Sequence, residues 1–227
     1  MRITLTPPWL IADLATPHKM ASWALSHPGI TRAQRVAWRQ VRNADLPQEL
    51  DVTDWFTKEL STQGDPVGLL TSRDIRHHHH TTVTIEGHRV EALATVGLSN
   101  AEEIGTRSPR APFPGTINIL VQSHTPMTEA ALLEAMSLIA AARTVEVLAA
   151  DHPLPGGRRA TGTGTDCIVI AAPDAPDPTP YAGMHTALGE AIGAATRQVM
   201  RAGVTLWTEQ HRAGQIKPLQ PTGETDP

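Results

Sequence analysis

The sequence predicts an α+β (or mixed α/β) fold, in which a mixed β-sheet with a hairpin is covered by two long helices. Residues 81–98 alternate apolar and polar side chains on both sides of Glu86-Gly87, which is the pattern of a β-hairpin. Alanine-rich segments at 128–150 and 182–207 are long enough to be helices, and they are compact enough to pack closely on a sheet.

The N-terminal 66 residues have the weakest periodicity, so we expect an irregular elaboration of the domain there, with a strand at Arg2–Thr6. The regular part begins with a short apolar strand at 68–72, and the hairpin follows. The segment GTINILVQS at 115–123 predicts another strand. Thr125-Pro126 then offers an N-cap and a proline at the first position of the first long helix.

The stretch DHPLPGG ends the first long helix, and CIVIAA at 167–172 predicts a buried strand. The second long helix presents an apolar face of Leu188, Ile192, Ala195 and Val199. Its polar continuation, residues 212–227, is predicted to be a disordered tail. We therefore expect a single domain over residues 1–211.

Size and composition exclude several classes of protein. A chain of 227 residues can bury a sufficient core without a disulfide or a metal. The net charge of −4 and the pI of about 6.2 argue against a nucleic-acid partner or an anionic membrane surface. The single cysteine, Cys167, and an N-terminus without signal-peptide features predict a cytoplasmic protein.

The densest candidate for chemistry is ATGTGTD at 160–166, whose residues 161–166 are called the glycine–threonine loop below. Glycines that alternate with short hydroxyl side chains leave backbone amides open to a ligand, and such loops hold anions or a developing oxyanion. If the loop is extended, its threonines share one face, and the aspartate orients a partner. The alternative is a turn whose threonines satisfy their own backbone. The catalytic candidates here are Thr161, Thr163, Thr165 and Asp166, with Gly162 and Gly164 as binding residues.

Two asparagines stand where predicted strands meet loops. Asn100 lies in GLSNAEEIG, and Asn118 lies in GTIN together with Thr116. An asparagine amide offers two donors and an acceptor, which suits recognition of a carboxamide, although Asn100 could equally cap a turn. Taken together, these residues favour a polar site that binds an amide group.

The segment GMHTALGEAIG places His185 at the start of the second long helix. An imidazole near its ordinary pKa can give a proton to a leaving amine close to neutral pH, whereas the alternative is a surface or capping histidine. Glu190 is too far around the helix to pair with His185 and pairs with Thr186 instead.

The run RHHHH at 76–80 and the lone thiol offer weaker hypotheses. In an extended strand, neighbouring histidines of the His77–His80 run point to opposite faces, so at most two reach one ion, and no metal ligand is predicted. Cys167 opens an apolar strand, where an inert core cysteine is the usual outcome and a thiolate nucleophile the exception.

Four of these segments, in this order and spacing, resemble the adenosylcobinamide amidohydrolase family: VGLSNA, GTIN, ATGTGTD and G-x-H-T-x-L-G-E-x-I-G. The resemblance covers roughly residues 20 to 207. It implies hydrolysis of the amide that joins the corrin propionyl side chain to aminopropanol, giving adenosylcobyric acid for cobamide salvage. It implies a corrinoid substrate that brings its own cobalt, and no further cofactor.

The resemblance also transfers roles to matching positions. It implies a catalytic set of Thr161, Thr163, Thr165, Asp166 and His185, and a substrate-binding set of Asn100, Thr116, Asn118, Gly162, Gly164, Thr186 and Glu190. Relatives often carry Glu-Ala-Lys inside the first long helix, where this chain has Ala142-Arg143-Thr144. Four of the five tryptophans lie in the first quarter of the chain and either cover the core or stack on a corrin ring.

Other functions remain open at the level of sequence. A corrinoid-binding protein without catalysis, a metal-dependent hydrolase using the His77–His80 run and a nucleotide-binding protein are the alternatives. The sequence also leaves open the nucleophile, the strand order and whether the chain forms a homodimer.

Overall fold

The computed structural model describes residues 1–42, 45–47, 49–106 and 115–216. The strands are β1 (Arg2–Thr6), β2 (Trp9–Ser22), β3 (Gly29–Gln40), β4 (Val67–Thr71), β5 (His78–Ile85), β6 (His88–Val96), β7 (Ala101–Glu102), β8 (Ile117–Ser123), β9 (Gly162–Thr163) and β10 (Cys167–Pro173). The helices are α1 (Val52–Ser61), α2 (Glu129–Ala149) and α3 (Ala187–Arg212).

One mixed sheet organises the molecule. Its strand order is β4-β3-β2-β10-β8-β6-β5, with β1 paired to β2 outside this path. The pairs β3–β4 and β8–β10 are parallel, and the other pairs of the sheet are antiparallel. A separate two-stranded ribbon joins β7 to β9. The predicted α+β class, with a mixed sheet, a hairpin and two long helices, is confirmed.

The hairpin connects β5 and β6 through the dipeptide that the sequence indicated. Glu86 and Gly87 both have positive φ, at 47° and 85°. This combination is the type I′ geometry, whose twist matches that of the flanking strands. Val83, opposite Val90 in the hairpin, packs against the main core, so the register places one face of β5 toward α3.

Alternation along the strands divides the core into two layers. On β10, Ile168 and Ile170 face α2 and α3, whereas Val169 and Ala171 face the other way. That second face packs on itself, because residues of β2, β3 and β4 meet residues of β6, β8 and β10 in one cluster around the fully buried Trp38. The sheet is therefore curled, and β4 lies across its inner face from β8.

The N-terminal region is more regular than expected. It contributes β1, β2 and β3 to the main sheet, and α1 packs Phe56 and Leu60 on the outer side of these strands. Describing the region as irregular was wrong because its strands are long and pair with one another, while charged side chains mask their alternation. Within the expected tail, residues 217–227 lie outside the described part of the chain, and the domain boundary stays a prediction.

The first long helix begins later than predicted. Thr128, and not Thr125, is its N-cap, and the Thr128 hydroxyl accepts a hydrogen bond from the Ala131 amide at 3.1 Å. Thr125 instead bonds to His88 Nδ1 at 2.9 Å. The threonine-proline pair therefore belongs to the turn that precedes α2.

Candidate functional site

Three of the sequence motifs meet at one edge of the sheet. The glycine–threonine loop leads into β10, GTIN leads into β8, and Asn100 follows the end of β6. Because β8 and β10 are parallel, with Asn118 opposite Cys167, both segments arrive at the same side. The mouth of the curled sheet lies at this edge.

A pocket of about 440 Å³ opens at this mouth. Its size lies within the range of small-molecule binding sites. Apolar groups of Leu25, Val41, Leu46 and Leu69 form much of its wall. The predicted site residues that line it are Asn100, Thr116, Asn118, Gly164, Thr165 and Asp166.

The three threonines of the loop do not share one face. The Thr161 hydroxyl donates to the Glu102 carbonyl at 3.2 Å and accepts from the Ile104 amide at 2.7 Å. The Thr163 hydroxyl donates to the Asp166 carboxylate. The loop is only briefly extended, so alternation does not hold. The hydroxyls of Thr161 and Thr163 stabilise the loop itself, which agrees with the alternative prediction of a turn whose threonines bond locally.

Thr165 is the exposed hydroxyl of the loop. It donates to the Gly115 carbonyl at 2.9 Å, and the Asn100 amide nitrogen lies 3.5 Å from it. Thr165, Gly164 and Asn100 also line a second pocket of about 460 Å³ on the other side of the loop. These residues therefore form the ridge between the two pockets.

Asp166 holds the loop together. Its carboxylate accepts the Thr163 amide at 3.1 Å and the Ile117 amide at 3.3 Å, and it forms an ion pair with Arg143 of α2. Only 8% of its side chain is exposed. Burial lowers the pKa of the Arg143 guanidinium. Sequence reasoning treated Arg143 as a departure from the family pattern and missed this role.

The polar residues of GTIN fix the floor of the pocket. The Thr116 hydroxyl donates to the Thr165 carbonyl at 2.6 Å, and the Asn118 amide donates to the Leu70 carbonyl of β4 at 2.7 Å. The second bond ties β8 to β4 across the mouth. Asn118 is 1% exposed, so its role in this structure is to hold β8 and β4 together at the floor of the pocket.

Unsatisfied groups remain beside the ridge. The Asn100 Oδ1 atom is buried and has no hydrogen-bond donor among the described residues. The amides of Thr161, Thr163 and Gly164 are already bound by protein acceptors. In the described part of the chain, the Thr165 amide has no such acceptor, whereas the Asp166 amide closes the turn at 164–165. A buried polar atom normally finds a partner, so Asn100 Oδ1 is a candidate to bind a ligand, and the exposed Thr165 amide can bind the same ligand.

One tryptophan reaches the site. Trp23 lines the pocket, is 47% exposed and donates through its indole nitrogen to the Asp166 carbonyl at 2.7 Å. Trp38 belongs to the core, and Trp9 and Trp55 pack around Arg39 beside α1. Of the four N-terminal tryptophans, Trp23 is therefore the one that can stack on a flat ligand in this pocket.

Cys167 also lines the pocket, but as an unreactive thiol. Burial raises its pKa to about 11, which a contact with the Ser22 hydroxyl only partly offsets. A thiolate nucleophile needs an electropositive setting that lowers this pKa. The structure supports the interpretation of Cys167 as a core residue.

His185, Thr186 and Glu190 are not brought together with the glycine–threonine loop. The chain reaches α3 from the far end of β10, and there the Ala182 amide bonds to Glu134 of α2 at 2.7 Å. Arg143, which contacts Asp166, lies nine residues further along α2, or about 13.5 Å along the helix axis. His185 and Glu190 are exposed at that far edge, and Thr186 is the N-cap of α3.

The histidine run does not converge on an ion. His78 bonds to the Ile75 carbonyl, His80 to Glu91 and His77 to Gln210, so the rings point to different partners. No group of three or more histidine, cysteine, aspartate or glutamate residues among the described residues could hold a metal. Within the same residues, no helix is both long and apolar enough to cross a membrane.

Comparisons with known proteins agree with the motifs. A family model described as adenosylcobinamide amidohydrolase matches residues 1–212. An adenosylcobinamide amidohydrolase from Halobacterium salinarum is 32% identical over 124 residues, which cover 51% of this chain and 50% of the relative. A protein of the same name from Methanosarcina mazei is 28% identical over 149 residues, covering 62% of this chain and 66% of the relative. The aligned part thus spans half to just under two thirds of these relatives.

Among solved structures, the PH0078 protein from Pyrococcus horikoshii OT3 is similar with a TM-score of 0.41 and 11% identity, over 88% of this chain and 76% of that chain. At that TM-score the similarity identifies neither a fold nor an activity. The family match spans nearly the whole described chain, and three of the four motifs that indicated it meet at one pocket. The chain belongs to the adenosylcobinamide amidohydrolase family.

Proposed function

We propose that the protein hydrolyses the amide bond between the corrin propionyl side chain and aminopropanol in adenosylcobinamide, giving adenosylcobyric acid for cobamide salvage. The names of the family and of its two curated relatives support an amidohydrolase of this substrate class. The observation that carries the proposal is the ridge, where Asn100, whose Oδ1 atom has no partner among the described residues, lies beside Thr165 with its free amide.

An amide substrate fits these unsatisfied atoms. A secondary amide has one N–H to donate and one carbonyl oxygen to accept, and Asn100 Oδ1 can take the N–H. The free amide of Thr165 can stabilise the negative charge that develops on the carbonyl oxygen during attack. The nucleophile is a water molecule or the Thr165 hydroxyl, and the departing nitrogen must gain a proton to leave as an amine.

The pocket admits one arm of the substrate and not the whole ring. The propionyl arm enters the apolar part of the pocket, and the corrin ring rests at the mouth against Trp23, whose exposed indole offers a flat apolar surface. The reaction consumes water and needs no resident cofactor, since the cobalt belongs to the substrate. We further expect the protein to act in the cytoplasm.

His185 is not part of this mechanism. It was the sequence's candidate for proton donation, but it lies at the opposite edge of the sheet from the ridge. A noncatalytic corrinoid-binding protein remains the alternative, because the pocket lining holds no imidazole among the described residues.

The test is incubation of the purified protein with adenosylcobinamide, followed by mass spectrometry for loss of the aminopropanol group. We expect turnover by the wild-type protein, and kcat/KM lowered roughly 100-fold or more in Asn100→Ala, which is the usual cost of losing one such contact to the reacting group. His185→Ala is the matched control and should stay within a few-fold of wild type. Cobinamide recovered bound but intact would favour the noncatalytic alternative, and equal losses in both variants would refute the assignment of the ridge.

A further inference from the structure

A third pocket of about 410 Å³ adjoins the proposed site and shares Ser72 and Gly115 with it. It lies where the end of β4 meets the last turns of α3. Arg73, His77 and Gln210 line it, and none of these residues takes part in the proposed amide hydrolysis.

Arg73 is a half-buried cation in the lining of this pocket. Its Nη2 atom donates to the Gln210 side-chain oxygen at 2.6 Å, while its Nε atom is buried and meets no acceptor in the part of the chain that the structure describes. Among the described residues, no carboxylate forms an ion pair with it. Asp74, the acidic residue of the pocket, directs both carboxylate oxygens to Arg76.

In the described part of the chain, Arg73 has no direct contact with a carboxylate, and its side-chain partner is the neutral Gln210. The Gln210 side-chain oxygen accepts a hydrogen bond from Arg73. The Gln210 side-chain nitrogen therefore donates to His77 Nε2, which lies 3.3 Å away. In this arrangement, the His77 proton resides on Nδ1, a further donor. Burial lowers the pKa of both Arg73 and His77, and the negative charge of nearby Asp74 only partly offsets this effect.

A buried guanidinium is normally paired, because taking a charge out of water is costly. Its planar fork of N–H groups matches the spacing of two oxygens in a carboxylate or phosphate group. We propose that Arg73, with His77, forms a binding site for an oxyanion, either a free anion or an anionic group of a ligand in the neighbouring pocket. The proposal does not depend on the amide hydrolysis.

The experiment measures binding of inorganic phosphate and of acetate to the purified full chain by isothermal titration calorimetry, with potassium chloride holding the ionic strength constant. We expect saturable binding of at least one of the two anions. Arg73→Gln should weaken it at least about 10-fold, the loss that corresponds to one charge-assisted hydrogen bond. Arg32→Gln removes an exposed arginine at the opposite edge of the sheet and should leave binding unchanged.

Gln210→Glu provides a second variant that keeps Arg73 in place. Its new carboxylate beside the guanidinium should satisfy the charge and abolish anion binding while the fold is retained. Titrations repeated with adenosylcobyric acid present, which carries a carboxylate, separate the two sources: an anion that still binds is a free anion, and one that is displaced marks the carboxylate of a larger ligand. Absence of saturable binding to the wild-type protein, or equal binding by Arg73→Gln, would overturn the proposal.

Discussion

At the scale of single residues, Asp166 shows how little a motif says about the role of its members. The sequence assigned it to orienting a catalytic partner, but its carboxylate is occupied by Thr163, Ile117 and Arg143. The residue that could have revealed this role is Arg143, a charge that stands at the alanine of the Glu-Ala-Lys pattern. The contact between Arg143 and Asp166 was not predictable from the sequence, because these residues approach each other only when α2 packs on the sheet.

We expect Asp166→Asn to lower the free energy of unfolding by about 3 kcal/mol, since removing one partner leaves the Arg143 charge buried without compensation. Denaturant unfolding measures this loss. The double variant Asp166→Asn/Arg143→Met should lose clearly less than the sum of the two single variants, because its partners interact directly. Lys58→Met, which removes an exposed ion pair on α1, is the control and should have little effect. Additive losses in the double variant would contradict the role assigned to the pair.

At the scale of elements, the G-x-H-T-x-L-G pattern proves to be the start of a helix. A side chain at Gly189 would collide with the carbonyls of Ala182 and Gly183, so the turn into α3 requires glycine there. The Thr186 hydroxyl accepts from the Gly189 amide at 2.9 Å and donates to the Gly183 carbonyl at 2.8 Å. The pattern is therefore accounted for by local geometry, without a catalytic role for His185.

Thr186→Ala should lower the free energy of unfolding by about 1 kcal/mol, the usual cost of losing a side-chain N-cap. Since α3 begins at the edge of the sheet opposite the ridge, we expect amide hydrolysis to keep its kcat/KM within about twofold. Thermal unfolding and the aminopropanol assay check the two halves of this prediction. A large loss of kcat/KM with unchanged stability would contradict this prediction and indicate that the start of α3 belongs to the active site.

At the scale of the whole molecule, periodicity predicted the hairpin and both long helices, because each depends on residues that are close in sequence. It did not predict the curled sheet, which depends on pairing between distant segments such as β2 with β10. The same limit applies to the site. The sequence indicated Asn100, GTIN and the glycine–threonine loop, but the β4 wall and Trp23 join them only through the strand order.

Buried carboxylates that fasten distant segments also set the response of the whole fold to acid. Glu91 of β6 is 3% exposed and accepts hydrogen bonds from the Met1 amino group, His124 and His80. Burial alone would raise its pKa, but these bonds outweigh burial and lower the pKa from 4.5 to about 2. Paired arginines likewise hold the pKa of Glu146 below its ordinary value, against the effect of burial.

A carboxyl group with a lowered pKa binds its proton more readily in the unfolded chain than in the folded one. Its contribution is therefore complete above pH 4.5 and is lost as the pH falls through about 2. For Glu91, that contribution is about 3 kcal/mol. Urea unfolding between pH 6 and pH 2 should show stability falling toward acid, and Glu91→Gln should flatten this dependence while lowering stability at pH 6. An unchanged slope in Glu91→Gln would mean that other groups govern the acid response, since glutamine keeps the shape of the side chain and removes only its titration.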